Sequence, residues 1–234
     1  MTNSSTAEVD RLKKAYRAYH EEGIDRQRWS SENPGNRAML RERHAAMHAL
    51  LAACDLLPLA GRKILDVGCG SGGELAHLFT WGAQARHLHG VDLLPERIAA
   101  AREAHPELTF SCGNAESIDY PDGAFDLVML FTVLSSILDP AMANNLCAEA
   151  MRVLKPGGAV LCYDFRFGNP YNPNVRGVTR RELIRLFPGF TMQARSLTLL
   201  PPLTRRLGGW TEALYPILAR FPFLRTHNLA CLKR

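Results

Sequence analysis

The chain has 234 residues, 47% of them apolar and 22% charged, with a formal net charge of +5. This length suits one α/β core with appendages rather than two equal domains, and the apolar content excludes a disordered chain. The first twenty residues are charged and lack the apolar centre of a signal peptide, and no apolar run is long enough to span a bilayer, so a cytoplasmic location is expected.

Six cysteines, at 54, 69, 112, 147, 162 and 231, include no Cys-x-x-Cys pair. Their scatter argues against a zinc site or a disulfide framework, and no metal is expected. Charge is unevenly spread: from Arg176 onward eleven basic residues face two acidic ones, +9, which leaves −4 for the residues before. Such asymmetry suits an anionic substrate, partner or surface, or simply a solvated basic face.

Val9, Leu12, Tyr16 and Tyr19 recur at helical spacing and predict a short amphipathic helix ending near Gly23. A helix of that length is not stable alone and must lie across something larger. His20, Trp29, Asn33 and Asn36 follow around Pro34-Gly35 as a candidate pocket wall. Apolar positions from Asn36 to Leu57 describe a second amphipathic helix. On it His44 and His48 lie one turn apart with no third ligand, and are read as surface or packing residues.

Lys63-Ile-Leu-Asp-Val-Gly-Cys-Gly-Ser-Gly-Gly-Glu74 reads as a buried strand, a glycine turn and a helix start. Glycines at 68, 70 and 72 let the backbone turn tightly and approach a ligand closely. Nicotinamide, flavin, phosphate and S-adenosylmethionine sites all use such a turn. Asp66 separates them, because a dinucleotide needs no carboxylate on this strand, whereas S-adenosylmethionine carries a cationic amino group. Asp92 ends the next predicted strand, Leu88–Leu93, and can accept from both ribose hydroxyls.

A helix over Pro95–Ala104 and a strand over Leu108–Cys112 lead to Gly113-Asn-Ala-Glu116. Phe125–Phe131 is an almost continuous apolar run, as expected of a central parallel strand. Asp139-Pro140 opens a helix through Leu154, which Lys155-Pro-Gly-Gly158 ends; a strand over Ala159–Phe165 follows. Thr179 and Glu182 form a capping-box pattern for a helix to Phe187. Two further strands, Phe190–Leu200 and His227–Lys233, flank a helical insertion over about 203–224 with Trp210, Phe221 and Phe223 among arginines. That insertion is expected to wall the substrate pocket, or else to make a peripheral membrane contact.

Asp66-Val-Gly-Cys-Gly-Ser-Gly72, Val91-Asp92, Gly113-Asn-Ala-Glu116, Phe125-Asp-Leu-Val128 and Arg152-Val-Leu-Lys-Pro-Gly-Gly158 stand in an order and at spacings that resemble the class I S-adenosylmethionine-dependent methyltransferases, over roughly residues 36 to 165. The resemblance implies an α/β, doubly wound, Rossmann-like sheet of seven strands, mostly parallel with the last antiparallel. Residues 1–35 become a helical lid on a domain over 36–234. S-adenosyl-L-methionine is the implied cofactor, held by Asp66, Gly68, Cys69, Gly70, Asp92, Leu93, Asn114, Ala115, Glu116 and Phe131. Asn114 stands where many relatives carry Asp; its amide can still accept from the adenine amino group and donate to the adjacent ring nitrogen.

The stretch Tyr163–Gly177 leaves the fifth strand beside the position of the transferable methyl. Tyr163, Arg166, Asn169, Asn172, Asn174 and Arg176 are expected to bind a small anionic or hydroxylated acceptor, with Asp164 or His20 as base and His227 as a further candidate. The alternative, that the asparagines satisfy the loop's own backbone, stays open. The expected function is methyl transfer to a hydroxyl of a saccharide or secondary metabolite. A nucleic-acid methyltransferase is the first alternative, opposed by the lack of an Asn-Pro-Pro-Tyr type of motif; a non-catalytic S-adenosylmethionine-binding subunit is the second. The oligomeric state is open.

Overall fold

The computed structural model describes residues 3–21 and 30–234; the side chain of His20, and Trp29, lie outside the described residues. Seven strands, β1 Ile64–Val67, β2 Leu88–Asp92, β3 Thr109–Cys112, β4 Phe125–Phe131, β5 Leu154–Phe165, β6 Thr191–Leu199 and β7 Arg225–Lys233, form one sheet in the order β3-β2-β1-β4-β5-β7-β6. Only β7 runs against its neighbours, slotted between β5 and β6. Eight α-helices accompany it among the described residues: α1 Asn3–Glu21, α2 Pro34–Ala53, α3 Gly73–His77, α4 Pro95–Ala104, α5 Pro140–Val153, α6 Arg180–Leu186, α7 Pro201–Arg206 and α8 Thr211–Leu218.

Side chains alternate across a strand, so each strand feeds two apolar layers. Leu65, Val67, Val128 and Leu130 pack towards α5 and α6, against Leu146, Ala150 and Leu183. Ile64, Leu127, Met129 and Leu161 pack the other way, against Met47, Leu50 and Leu51 of α2. β1 and β4 are covered on both faces, which is why they read as near-continuous apolar runs.

Three local expectations meet a different outcome. β5 begins at Leu154 rather than Ala159: Leu154 pairs with Phe125 before a register shift, so Lys155-Pro-Gly-Gly158 is carried inside the strand. The capping box is half formed. Thr179 accepts from the Glu182 N–H at 3.1 Å, but the Glu182 carboxylate goes to Arg176 at 2.7 Å. Asn33 is a helix cap, accepting from the Gly35 and Asn36 N–H groups at 2.8 and 3.4 Å, while its Nδ2 donates to the Arg205 carbonyl at 3.2 Å.

These bonds seat the insertion on α2, where Ala38 and Met39 meet Leu199, Tyr215 and Ala219. Tyr215 donates to Glu42 at 2.6 Å. The insertion therefore packs beside the sheet edge, and none of its residues lines the cavity beside the glycine turn. Gly35 lies where α2 crosses α7, and a Cβ there would fall on the Thr204 backbone carbonyl. Gly35→Ala is expected to lower stability by about 1–3 kcal/mol. A urea midpoint equal to that of the unsubstituted protein would show that the crossing is looser than described.

Candidate functional site

The site starts at the end of β1. Gly68 takes φ +75°, open to glycine, and a Cβ there would meet Val133 Cγ2 at 2.6 Å. The N–H groups of Gly68 and Cys69 both reach the Val91 carbonyl, at 2.7 and 3.1 Å, tying the turn to β2. Asp92 then receives Gly70 N–H on one oxygen at 2.9 Å and Leu94 N–H on the other at 3.0 Å. Each oxygen keeps a lone pair for a further donor.

A cavity of about 680 Å³ opens beside this turn. Gly68, Asp92, Leu93, Asn114, Ala115 and Phe131 line it from the sheet ends, with Thr132, Val133 and Ser136 from the loop after β4 and Leu12 and Tyr16 from α1. Asp66, Cys69, Gly70 and Glu116 are outside the lining. Glu116 accepts instead from Ser5, from Asn114 at 3.0 Å and from Asn145 at 2.8 Å. Burial alone would raise its carboxyl pKa, but these hydrogen bonds hold it below the usual range. The Asn114 amide is likewise occupied, its oxygen accepting Glu116 N–H at 3.1 Å.

Helix α1 lies across this crevice and is tied down along its length. Glu8 accepts from Leu138 N–H at 2.6 Å, and Arg11 donates to the Ser136 carbonyl at 2.5 Å. The Tyr16 hydroxyl meets Ser136 Oγ at 2.8 Å, with the Arg97 guanidinium 4.3 Å from the centre of its ring. The loop after β5 completes the attachment: Arg11 donates to Asn174 at 3.1 Å and Tyr19 to Asn172 at 2.9 Å.

Within that loop Asn169 accepts from Tyr171 N–H at 3.0 Å and Asn172 from Asn174 N–H at 3.1 Å. Arg166 donates to the Pro222 and Arg225 carbonyls at 2.8 and 2.9 Å. Arg176 donates to the Ile137 carbonyl at 2.7 Å besides its bond to Glu182. The Tyr163 hydroxyl meets Thr198 Oγ1 at 2.7 Å, its ring stacks on His227 at 4.6 Å, and burial pushes its pKa up to about 12. The same burial depresses His227 to about 3 and keeps it neutral. None of these side chains lines the cavity.

Asp164 is 2% exposed and accepts from Ser135 N–H at 3.1 Å and Phe165 N–H at 2.9 Å. Burial pushes its pKa up to about 6, partly offset by those hydrogen bonds. It thereby fixes the loop that brings Thr132, Val133 and Ser136 to the cavity.

Asp66 is different. It is 2% exposed, its Oδ1 accepts no hydrogen bond, and burial together with the charges of Glu74 and Asp92 pushes its carboxyl well above the usual range. Arg43, which the sequence analysis missed, lies near it: paired with Glu74, 5.1 Å from the Tyr163 ring centre and 5.8 Å from that of Phe131, with its Nε donating to nothing. The signal was there, since Met39, Arg43 and Met47 recur at i, i+4, i+8 and put a charge in an apolar stripe. A buried carboxylate and a guanidinium, each with an unused polar atom, beside a backbone cradle, fit the zwitterionic end of an amino-acid ligand.

Residues 64–158 match the family model of a methyltransferase domain. Over 135 residues the chain is 36% identical to phthiotriol/phenolphthiotriol dimycocerosates methyltransferase 1 of Mycobacterium ulcerans (strain Agy99), 53% of this chain and 46% of that one. Over 180 residues it is 27% identical to norajmaline N-methyltransferase of Rauvolfia serpentina, 70% of this chain and 59% of that one. It spans about half the length of the curated relatives it matches. The crystal structure of an S-adenosylmethionine dependent methyltransferase from Mesorhizobium loti superposes with a TM-score of 0.58 at 20% identity, covering 80% of this chain and 96% of that one, which speaks to fold alone. The matched span holds the glycine turn and Asp92, the relatives are methyltransferases, and the shared fold is that of S-adenosylmethionine-dependent methyltransferases, so the chain is similar to that class in sequence and in architecture.

The pH behaviour of Asp164 follows from its burial. Its folded pKa of about 6 exceeds an unfolded value of about 3.9, so between these values the native state holds a proton that the unfolded chain lacks. The stability so gained is fully present below about pH 4 and is lost as pH rises through about 6. Urea midpoints across that window should fall with rising pH in the unsubstituted protein, and Asp164→Asn should lack that segment of the slope. Parallel profiles for the two would show that Asp164 does not titrate there.

Proposed function

We propose that the chain transfers a methyl group from S-adenosylmethionine to a small-molecule acceptor, and that the acceptor offers a hydroxyl, as a saccharide or secondary metabolite does. The observation that supports the cofactor part of this reading is the buried Oδ1 of Asp66, on the strand before the glycine turn, which accepts no hydrogen bond. Asp66 would hold the cofactor's amino group, Arg43 its carboxylate and Asp92 its ribose hydroxyls, with Leu93, Asn114, Ala115 and Phe131 around the rest. When bound, S-adenosylmethionine supplies a methyl group activated by its sulfonium charge.

The protein's part is to orient and to exclude water, which supplies most of the acceleration in a displacement of this kind. Leu12 and Tyr16 of α1 cover the crevice as a lid. Ile137, Met142 and Leu146 make an apolar floor, and Thr132 and Ser136 supply the hydroxyls that direct an acceptor. A mostly apolar cavity with a few directed polar groups suits a small molecule better than a nucleic acid.

Asp164 acts here as a positioning residue through Ser135; the side chain of His20, the other candidate base, lies outside the described residues. A nitrogen acceptor, which needs less help from a base, is the second reading. The bonds from backbone N–H groups to both Asp164 oxygens favour it.

S-adenosylmethionine and its demethylated product should both raise the thermal midpoint, by mass action on the folded state. Asp92→Ala should lose most of that rise, and NADH should give none. A comparable rise with NADH would overturn the cofactor assignment. Transfer of labelled methyl to amines and never to alcohols would replace the first reading with the second.

A further inference from the structure

Among the described residues, six of the eleven large apolar side chains that stand exposed lie between Leu200 and Phe223. Trp210, Leu214, Ile217 and Phe221 are spaced i, i+4, i+7 and i+11, so they share the outer face of α8 and its flanking turns. On the inner face Thr211, Tyr215 and Ala219 are buried, the last two against α2. Trp210 and Phe223 are 72% and 75% exposed, more than ordinary surface packing leaves to a large ring.

This face is built rather than frayed. Arg166 grips the Pro222 and Arg225 carbonyls, and Arg225 donates to the Ala219 carbonyl at 2.6 Å, so two guanidinium groups hold the turn that projects Phe221 and Phe223. Phe167, half exposed beside Arg166, extends the apolar surface to the loop leaving β5. That is the carboxyl end of the parallel strands, where the cavity also opens. Exposed Arg206 and Arg220 stand at its rim, and Glu212, the one acid between 201 and 224, is paired with Arg41 at 2.5 Å.

We propose that this face docks on a bilayer surface bearing anionic headgroups. The aromatic and branched side chains enter the boundary between headgroups and acyl chains, and the arginines meet phosphate oxygens. Two features select this occupant over a second copy of the chain. A twofold dimer through this face would set Arg206 and Arg220 of both copies together, like charge on like. The surrounding segment, from Arg176 onward, carries +9. No helix among the described residues is long and apolar enough to cross a membrane, and α8 has eight residues with Pro216 inside, so the contact is made from the surface.

The test is flotation of the full chain with vesicles of phosphatidylcholine alone or mixed with phosphatidylglycerol. Association with the mixed vesicles, weaker in high salt and accompanied by a blue shift of tryptophan emission, is expected. Trp210→Ser with Phe223→Ser should lower the bound fraction by about tenfold or more, with an unchanged thermal midpoint and unchanged cofactor-induced stabilisation. Arg206→Ser with Arg220→Ser should weaken binding to the mixed vesicles alone. The proposal is overturned by no association with the mixed vesicles, by equal association with phosphatidylcholine alone, or by equal association of the Trp210/Phe223 variant. It is also overturned by a dimer in sedimentation that this variant dissolves. Because no arm depends on turnover, failure here leaves the methyltransferase reading standing.

Discussion

A carboxylate inside a parallel sheet, with an oxygen that accepts nothing, opposes folding, and the rest of this molecule is arranged around that group. Asp66 cannot be relieved by water at 2% exposure, and the nearby carboxylates of Glu74 and Asp92 make its ionisation harder. The charge of Arg43 partly offsets this, but its guanidinium is shared with Glu74 and the rings of Tyr163 and Phe131. A sequence selected for stability alone would place an apolar residue on this strand. The unsatisfied pair instead marks where a ligand of matching charge belongs.

Around this point the chain builds rigidity on one side and closure on the other. The glycine turn is stitched to β2 through the Val91 carbonyl and the Asp92 carboxylate, so the sheet ends behave as one edge. Opposite it, α1 is fastened by Ser5, Glu8, Arg11, Tyr16 and Tyr19 to three separate segments. The asparagines after β5 take part in that fastening. Their polarity serves α1 and the loop's own turns.

How much of this the sequence revealed depended on the range of the interaction. The glycine turn, the apolar run of β4 and the Asp139-Pro140 cap are local patterns, and each appears where expected. The start of β5 was hidden because Lys155-Pro-Gly-Gly158 has turn composition, and only pairing with β4 makes it a strand. Arg43 was hidden among the arginines of α2, since its meaning comes from Glu74 and Asp66, which the chain brings near only on folding. The polar loop invited a substrate role because Tyr163, Arg166, Asn169, Asn172, Asn174 and Arg176 all offer hydrogen bonds. Sequence does not show that backbone carbonyls, α1 and the loop itself use them.

The central claim is that Asp66 exists to meet the cofactor's amino group, and proton linkage tests it most directly. Burial raises the pKa of this carboxyl in the free protein, and an arriving ammonium group would favour its ionised form. Calorimetric titration with S-adenosylhomocysteine, which carries the same amino-acid end, should be run at mildly acidic pH in buffers of different ionisation enthalpy. The account predicts net proton release on binding, absent in Asp66→Asn together with most of the affinity. Binding without proton exchange, or equal affinity in Asp66→Asn, would contradict it.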